Sequence, residues 1–122
     1  MCPTSGWPKT LTVPSARPKR GEIWLTRLDP TEGREIRKTR PCLVVTPDAM
    51  NDHLGTVVVM PMTSGNQPAR FRAVTDFRGV AGLLLGDQIC SVSKSRLLKR
   101  VGTVEEKTLL RALTILREMF EE

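Results

Sequence analysis

Arg40 stands one proline away from an apolar run, Cys42 to Val45, in the stretch KTRPCLVVTPD. A permanent cation in that place, its backbone held by Pro41 and by a buried strand, is suited to meeting a phosphate. Thr63 and Ser64 follow the other strongly apolar segment, TVVVMPM, and supply two hydroxyls. An arginine gives paired hydrogen bonds to phosphate oxygens and a hydroxyl completes their coordination, so the three residues together suit a phosphodiester. Glu35, in the loop GREIRKTR, and Asp87, in GDQ, are the nearby carboxylates able to accept a proton. Each residue also has a plainer reading. Arg40 is then a strand-end surface residue, Thr63-Ser64-Gly65 a turn, Asp87-Gln88 a tie to backbone amides, and Glu35 a solvated charge.

Other chemistries are missing from the chain. His53 is its single histidine and falls in a loop away from Arg40, so a two-histidine acid–base scheme is excluded. There is no G-x-x-x-x-G-K-[ST] loop, no Cys/His pair at reacting spacing and no carboxylate cluster, so neither a metal site nor a cofactor is expected. RNA carries its own nucleophile, the 2′-hydroxyl. A protein that orients it and stabilises charge at phosphorus needs little else, whereas DNA offers no such group.

These residues need strands to position them. EIWLTRL alternates as a strand, PCLVV reads as a central strand with Pro41 at its first position, and TVVVMPM is the most strand-like segment in the chain. FRAVTDF alternates, GVAGLLL and DQICSVS read as short strands meeting near Gly86, and a last short strand follows KSR. One helical turn is expected after Pro47. A helix closes the chain, with Thr103 and Glu106 as a capping box and Leu109, Ala112, Leu113, Leu116 and Phe120 on one face. Antiparallel pairing of the two apolar strands would set Thr63 beside Arg40. The pattern predicts a mainly β (α+β) domain, a small barrel or curled sheet with the helix packed on it.

The chain has 122 residues, one domain's worth, with a net charge of +6. Residues 1–20 hold Lys9, Arg17, Lys19 and Arg20 and no acid, so four of those six charges sit in the tail. Four prolines within residues 1–19 make this a flexible basic arm ahead of a domain at 20–122. What remains basic is clustered at Arg34, Arg37, Lys38 and Arg40; at Arg70, Arg72 and Arg78; and at Lys94, Arg96, Lys99 and Arg100. Such clusters suit a polyanion. Arg70 and Arg72 are read as groove-lining, Phe71 as a stacking candidate and Trp24 as core or interface. The three scattered cysteines, the lack of a secretory h-region and the absence of a long apolar span point to a cytoplasmic protein with no membrane contact.

Three segments, RGEIWLTRLDPTEGREIRKTRPCLVVTPDAMN, VVVMPMTSG and LLLGDQICSVSKSRLLKRVGTV, resemble the MazF/PemK/Kid toxins of toxin–antitoxin pairs. The resemblance runs from about Arg20 to the C-terminus. It implies an SH3-like, PemK-type β barrel with a C-terminal helix, a homodimer, and a metal-independent endoribonuclease that cuts single-stranded RNA at short sequences. The ends left would be a 2′,3′-cyclic phosphate and a 5′-hydroxyl, and the partner an acidic MazE-like antitoxin. Arg40, Thr63 and Glu35 match the family's catalytic arginine, hydroxyl and mobile-loop acid. Arg34, Ser64, Asn66, Arg70, Arg72, Asp87 and Gln88 are the expected RNA-binding residues. The chain departs from the PemK/Kid branch where that branch has a loop histidine (here Arg34) and an arginine two residues before the aspartate (here Leu85). The competing expectation is a non-catalytic barrel, either a CcdB-like gyrase poison or a nucleic-acid-binding module.

Overall fold

The computed structural model describes residues 17–28, 38–64, 70–77 and 80–122. The strands are β1 (Glu22–Leu28), β2 (Lys38–Val44), β3 (Thr56–Thr63), β4 (Arg72–Phe77), β5 (Val80–Leu85), β6 (Cys90–Ser93) and β7 (Leu97–Thr103). A one-turn helix, α1 (Asp48–Asn51), follows Pro47 as expected, and α2 (Glu106–Met119) closes the chain.

The unbroken apolar character of the central strands has a direct cause. Successive residues point to opposite faces, and both faces of β2 and β3 are covered. Cys42, Val44, Val57 and Val59 pack on one face with Leu28, Val92 and Leu97. Leu43, Val45, Met60 and Met62 pack on the other with Ile23, Leu84 and Ala112 of α2. Leu43 and Met60 are completely buried, and cutting either back to alanine is worth roughly 2–5 kcal/mol of stability.

The hydrogen-bonded order is β4-β5-β3-β2-β1-β7, with β6 paired to β3 off this path. β3 changes partners along its length. Thr56 to Val59 pair with β6, and Met62 and Thr63 pair with β5. Pro61 falls between the two ladders, where a missing N–H breaks no bond on that side.

The expected barrel is not closed. No ladder joins the edge strands β4 and β7 among the described residues. The edges meet through side chains instead: a Cβ on Gly102 of β7 would lie 2.8 Å from Cε1 of Phe77 on β4. The ring occupies the space that the glycine leaves. The molecule is therefore an open, curled antiparallel sheet with α2 against one face.

Several local expectations are corrected. Pro41 is the fourth residue of β2, not its first. The β2–β3 ladder begins only at Cys42, so Pro41 sits where β2 is unpaired on that side. β7 is seven residues long, not short, and is preceded by a 3₁₀ turn, Lys94–Arg96. Thr103 does not cap the helix. It is held in β7 opposite Glu22, and the Val104 N–H donates to Gly21 O at 2.9 Å. α2 therefore starts later, with Glu105 at the N-cap and no side-chain cap. Ala112 is fully buried and Leu113 and Leu116 pack on the core as expected, but Phe120, just past the end of α2, is 72% exposed.

Ordered contacts also begin earlier than Gly21. Pro18 is buried, the Lys19 N–H donates to Glu22 Oε1 at 2.8 Å, and the Arg20 N–H donates to Asp48 Oδ1 at 2.7 Å. Residues 1–16 of the expected arm lie outside the described residues. No described helix is long and apolar enough to cross a membrane.

Candidate active site

β2 and β3 run antiparallel, with Cys42 opposite Pro61, Leu43 opposite Met60 and Val44 opposite Val59. The ladder stops at Cys42, and continuing its register by two residues would bring Arg40 level with Thr63. Both residues line one cleft of about 200 Å³, together with Pro41, Met62, Ser64, Phe77, Ala81 and Gly82. Sequence spacing thus gave the right juxtaposition, because the connection between the strands leaves their outer ends on one sheet edge.

Arg40 is held on its other side by β1, where Thr26 is its ladder partner and is completely buried. Nε of Arg40 is buried and has no hydrogen-bond partner among the described residues. Leaving such a donor unmatched costs about 1–3 kcal/mol or more. An acceptor brought within reach of it would recover that cost. Thr63 is half-buried at the end of β3 and opposite Leu83 of β5. The neighbouring glycine permits this approach: a Cβ on Gly82 would stand 2.6 Å from Thr63 O. Cys42, next to the cleft, is no nucleophile. Burial pushes its thiol up to about 12, and its Sγ donates to Arg40 O at 3.5 Å.

The remaining expected residues fall into three groups. Ser64 lies in the cleft. Glu35, Arg34 and Asn66 lie outside the described residues. Arg70, Arg72, Asp87 and Gln88 lie farther along the β4–β5 ribbon. Arg70 places its guanidinium 4.9 Å from the centroid of Phe71. Phe71 has φ 67°, an outlier for a bulky side chain, and its carbonyl accepts from Gly86 N–H at 3.0 Å. It precedes β4 and does not join the alternation expected of it. Arg72 is paired with a carboxylate. Its Nε and Nη2 donate to Asp87 Oδ1 and Oδ2, each at 2.8 Å. That fork holds the Asp87 carboxyl below its ordinary range and raises Arg72. Asp87 therefore ties β4 to the 3₁₀ turn Gly86–Gln88 through a side chain. Leu85, where the resemblance leads one to look for an arginine, is buried, and Arg72 is its ladder partner.

Phe77, Ala81 and Gly82 line the cleft and were not singled out from the sequence. Gly82 had a usable signal, since a glycine inside an apolar strand marks a close backbone approach. Phe77 had none, because only the curl of the sheet brings it near β2. Among the described residues, no group of three or more His, Cys, Asp or Glu side chains is placed to hold a metal ion.

Residues 19–120 match the family of PemK-like, MazF-like toxins of type II toxin–antitoxin systems. The chain is 44% identical over 94 residues to an Escherichia coli protein named endoribonuclease PemK, covering 72% of this chain and 71% of that one. MazF from Deinococcus radiodurans superposes with a TM-score of 0.78 at 25% identity, covering 88% of this chain and 99% of that one. A MazE–MazF complex from the same organism gives 0.68 at 25% identity over the same shares. The match spans every strand and the C-terminal helix, and it includes both walls of the Arg40–Thr63 cleft: this chain belongs to the PemK-like, MazF-like toxins of type II toxin–antitoxin systems.

Proposed function

We propose that this chain is the toxin of such a pair and acts as an endoribonuclease on single-stranded RNA. The observation that carries the reading is the single cleft lined by both Arg40 and Thr63 at the adjoining ends of β2 and β3, with Nε of Arg40 buried and unpartnered among the described residues. In this reading the scissile phosphate sits between them. Arg40 bonds its non-bridging oxygens and stabilises the charge that grows as the 2′-hydroxyl attacks phosphorus. The Thr63 hydroxyl fixes the phosphate's orientation, with Ser64 beside it. The 2′-hydroxyl gives up its proton to solvent water as its oxygen forms a bond to phosphorus, the bond from phosphorus to the 5′-oxygen breaks, and the leaving oxygen takes up a proton from water, so the products are a 2′,3′-cyclic phosphate and a 5′-hydroxyl. Arg40 stays protonated throughout and acts by charge, not by proton transfer.

The same reading makes the chain a cytoplasmic homodimer held in check by an acidic, MazE-like antitoxin. The antitoxin part of it is supported by the Deinococcus radiodurans relative, whose MazF forms a complex with MazE. The test is incubation of the purified protein with a long mixed-sequence RNA in EDTA, followed by mapping of the cut ends. Wild type is expected to cut at a short recurrent sequence and leave cyclic phosphate ends. Arg40→Ala and Thr63→Ala are each expected to slow cutting by on the order of 100-fold or more. Undiminished cutting by both folded variants would overturn the site, and an inert wild type would overturn the activity.

A further inference from the structure

The Arg72–Asp87 pair is built differently from an incidental surface contact. Both hydrogen bonds are 2.8 Å and the carboxylate meets the Nε–Nη2 edge of the guanidinium, with the two side chains 32% and 41% exposed. A guanidinium carries five N–H donors. Two are spent on Asp87, and among the described residues Arg72 has no other hydrogen-bond partner. The Nη1 end, opposite the carboxylate, keeps its donors for another acceptor.

The sheet sets where that end stands. Ladder partners share a face, as do residues two apart on a strand. Thr63 is opposite Leu83, and Leu83 is opposite Val74. Arg72 is two residues from Val74 on β4, so it leaves the sheet on the face that carries Thr63 and, by the β2–β3 register, Arg40. Two strand spacings across and two residues along put the Arg72 backbone about 12 Å from that of Thr63, a reach bridged by one strand of RNA but not by one phosphate.

The geometry points to the Arg72–Asp87 fork as a second phosphate seat, where Arg72 touches a backbone phosphate beside the scissile one and Asp87 is the positioning residue that aims it. The inference rests on the ribonuclease reading. Its physical basis is preorganisation. An exposed arginine loses side-chain freedom when it clamps a phosphate, and a guanidinium already locked by a carboxylate has lost much of it beforehand. The pair is neutral overall and adds little long-range attraction, so its contribution is to register the strand over Arg40 and Thr63.

Asp87→Asn separates this from simple charge attraction. The variant gains one unit of positive charge, which by itself favours RNA; the positioning role requires instead that it bind RNA less well. The experiment uses an RNA oligonucleotide spanning a mapped cut site, plus a set in which each phosphate flanking the cut is replaced in turn by a neutral methylphosphonate. Arg72→Gln is expected to lower kcat/KM about tenfold on the unmodified oligonucleotide, chiefly through KM. Asp87→Asn should lower it several-fold and Arg72→Lys by an intermediate amount. With one of the methylphosphonate oligonucleotides the Arg72→Gln defect should disappear while the Arg40→Ala defect persists.

Tighter binding and faster cutting by Asp87→Asn would overturn the inference. So would an Arg72→Gln defect unchanged on every methylphosphonate oligonucleotide, or no defect at all. A wild type that cuts RNA while Arg72→Gln cuts equally well sinks only this inference. A wild type that cuts nothing sinks the ribonuclease reading and this inference with it. Circular dichroism and thermal melts show whether each variant is folded, and the exposure of both side chains leads us to expect intact folds.

Discussion

The two ends of the β2–β3 pair are both polar, and they are finished in opposite ways. Beyond Val45, Thr46 Oγ1 donates to Asn51 Oδ1 at 2.7 Å, Asn51 Nδ2 donates back to Thr46 O at 2.9 Å, and the Val58 N–H donates to Thr46 Oγ1 at 3.2 Å. Lys94 Nζ donates to Asn51 O, and Thr46, Asn51 and Lys94 are all buried. At the other end Arg40 keeps a buried Nε with no described partner, above an open cleft. Burying a polar group is costly unless it is bonded. A closed network therefore stabilises the fold, whereas the unpartnered donor at the Arg40 end adds no such stability. Polarity at a strand end does not separate the two cases; saturation does.

Substitutions at the two ends sharpen that contrast. Arg40→Ala should lower RNA cleavage by on the order of 100-fold or more while its urea midpoint corresponds to stability within about 1 kcal/mol of wild type. Asn51→Ala should do the reverse. It orphans groups around Thr46, so a loss of about 2–3 kcal/mol in chemical unfolding is expected, with cleavage per folded molecule unchanged. Equal stability losses at the two ends would break the comparison.

Gly82→Ala tests the wall of the open end. The new Cβ would meet Thr63 O at 2.6 Å, and β5 must shift to relieve it. A loss of roughly 1–3 kcal/mol in stability is expected, accompanied by reduced cleavage, whereas Gly55→Ala, with open space around its Cβ, should leave cleavage unaltered.

Cys42 gives a smaller, chemical signal. Its thiol, pushed up to about 12 by burial, stays protonated at about pH 8, near the ordinary range of a free thiol. Iodoacetamide should leave it unlabelled in the native protein and label it in denaturant, as read by peptide mass spectrometry; rapid native labelling would contradict the packing around Arg40.

The smallest expected effect concerns pH. Hydrogen bonding from Arg72 lowers the folded-state titration of Asp87. The pair's stabilisation is therefore present above the unfolded carboxyl value, about 3.9, and is lost as pH falls through the depressed folded value. Wild type and Asp87→Asn should differ by a small, constant amount above about pH 5, and the difference should vanish in stronger acid. Solvent screening keeps it small, and a difference that grew with falling pH would have the wrong sign.

Much of the site was legible because it depended on short-range rules. The apolar runs after Arg40 and before Thr63 could only be strands, and a short connection between them makes an antiparallel pair whose outer ends coincide. The capping box at Thr103 and Glu106 was misleading for the same local reason: the motif is compatible with a helix start, but the ladder to Glu22 and the bond from Val104 to Gly21 hold that segment in the sheet. Pro41 likewise reads as a strand start only until the staggered ladders of β1 and β3 are known.

The sequence alone determined where the core of each strand falls, which strands are buried on both faces, and that a guanidinium precedes one apolar run and a hydroxyl follows another. Those properties follow from side-chain periodicity and composition, which the chain carries residue by residue. Only the tertiary structure decided that the sheet stays open with Phe77 seated on Gly102, that Phe77, Ala81 and Gly82 complete the cleft, and that Arg72 is committed to Asp87. Each of these brings together residues from different strands, and their separation is set by twist, curl and packing over the whole sheet, which no local pattern encodes.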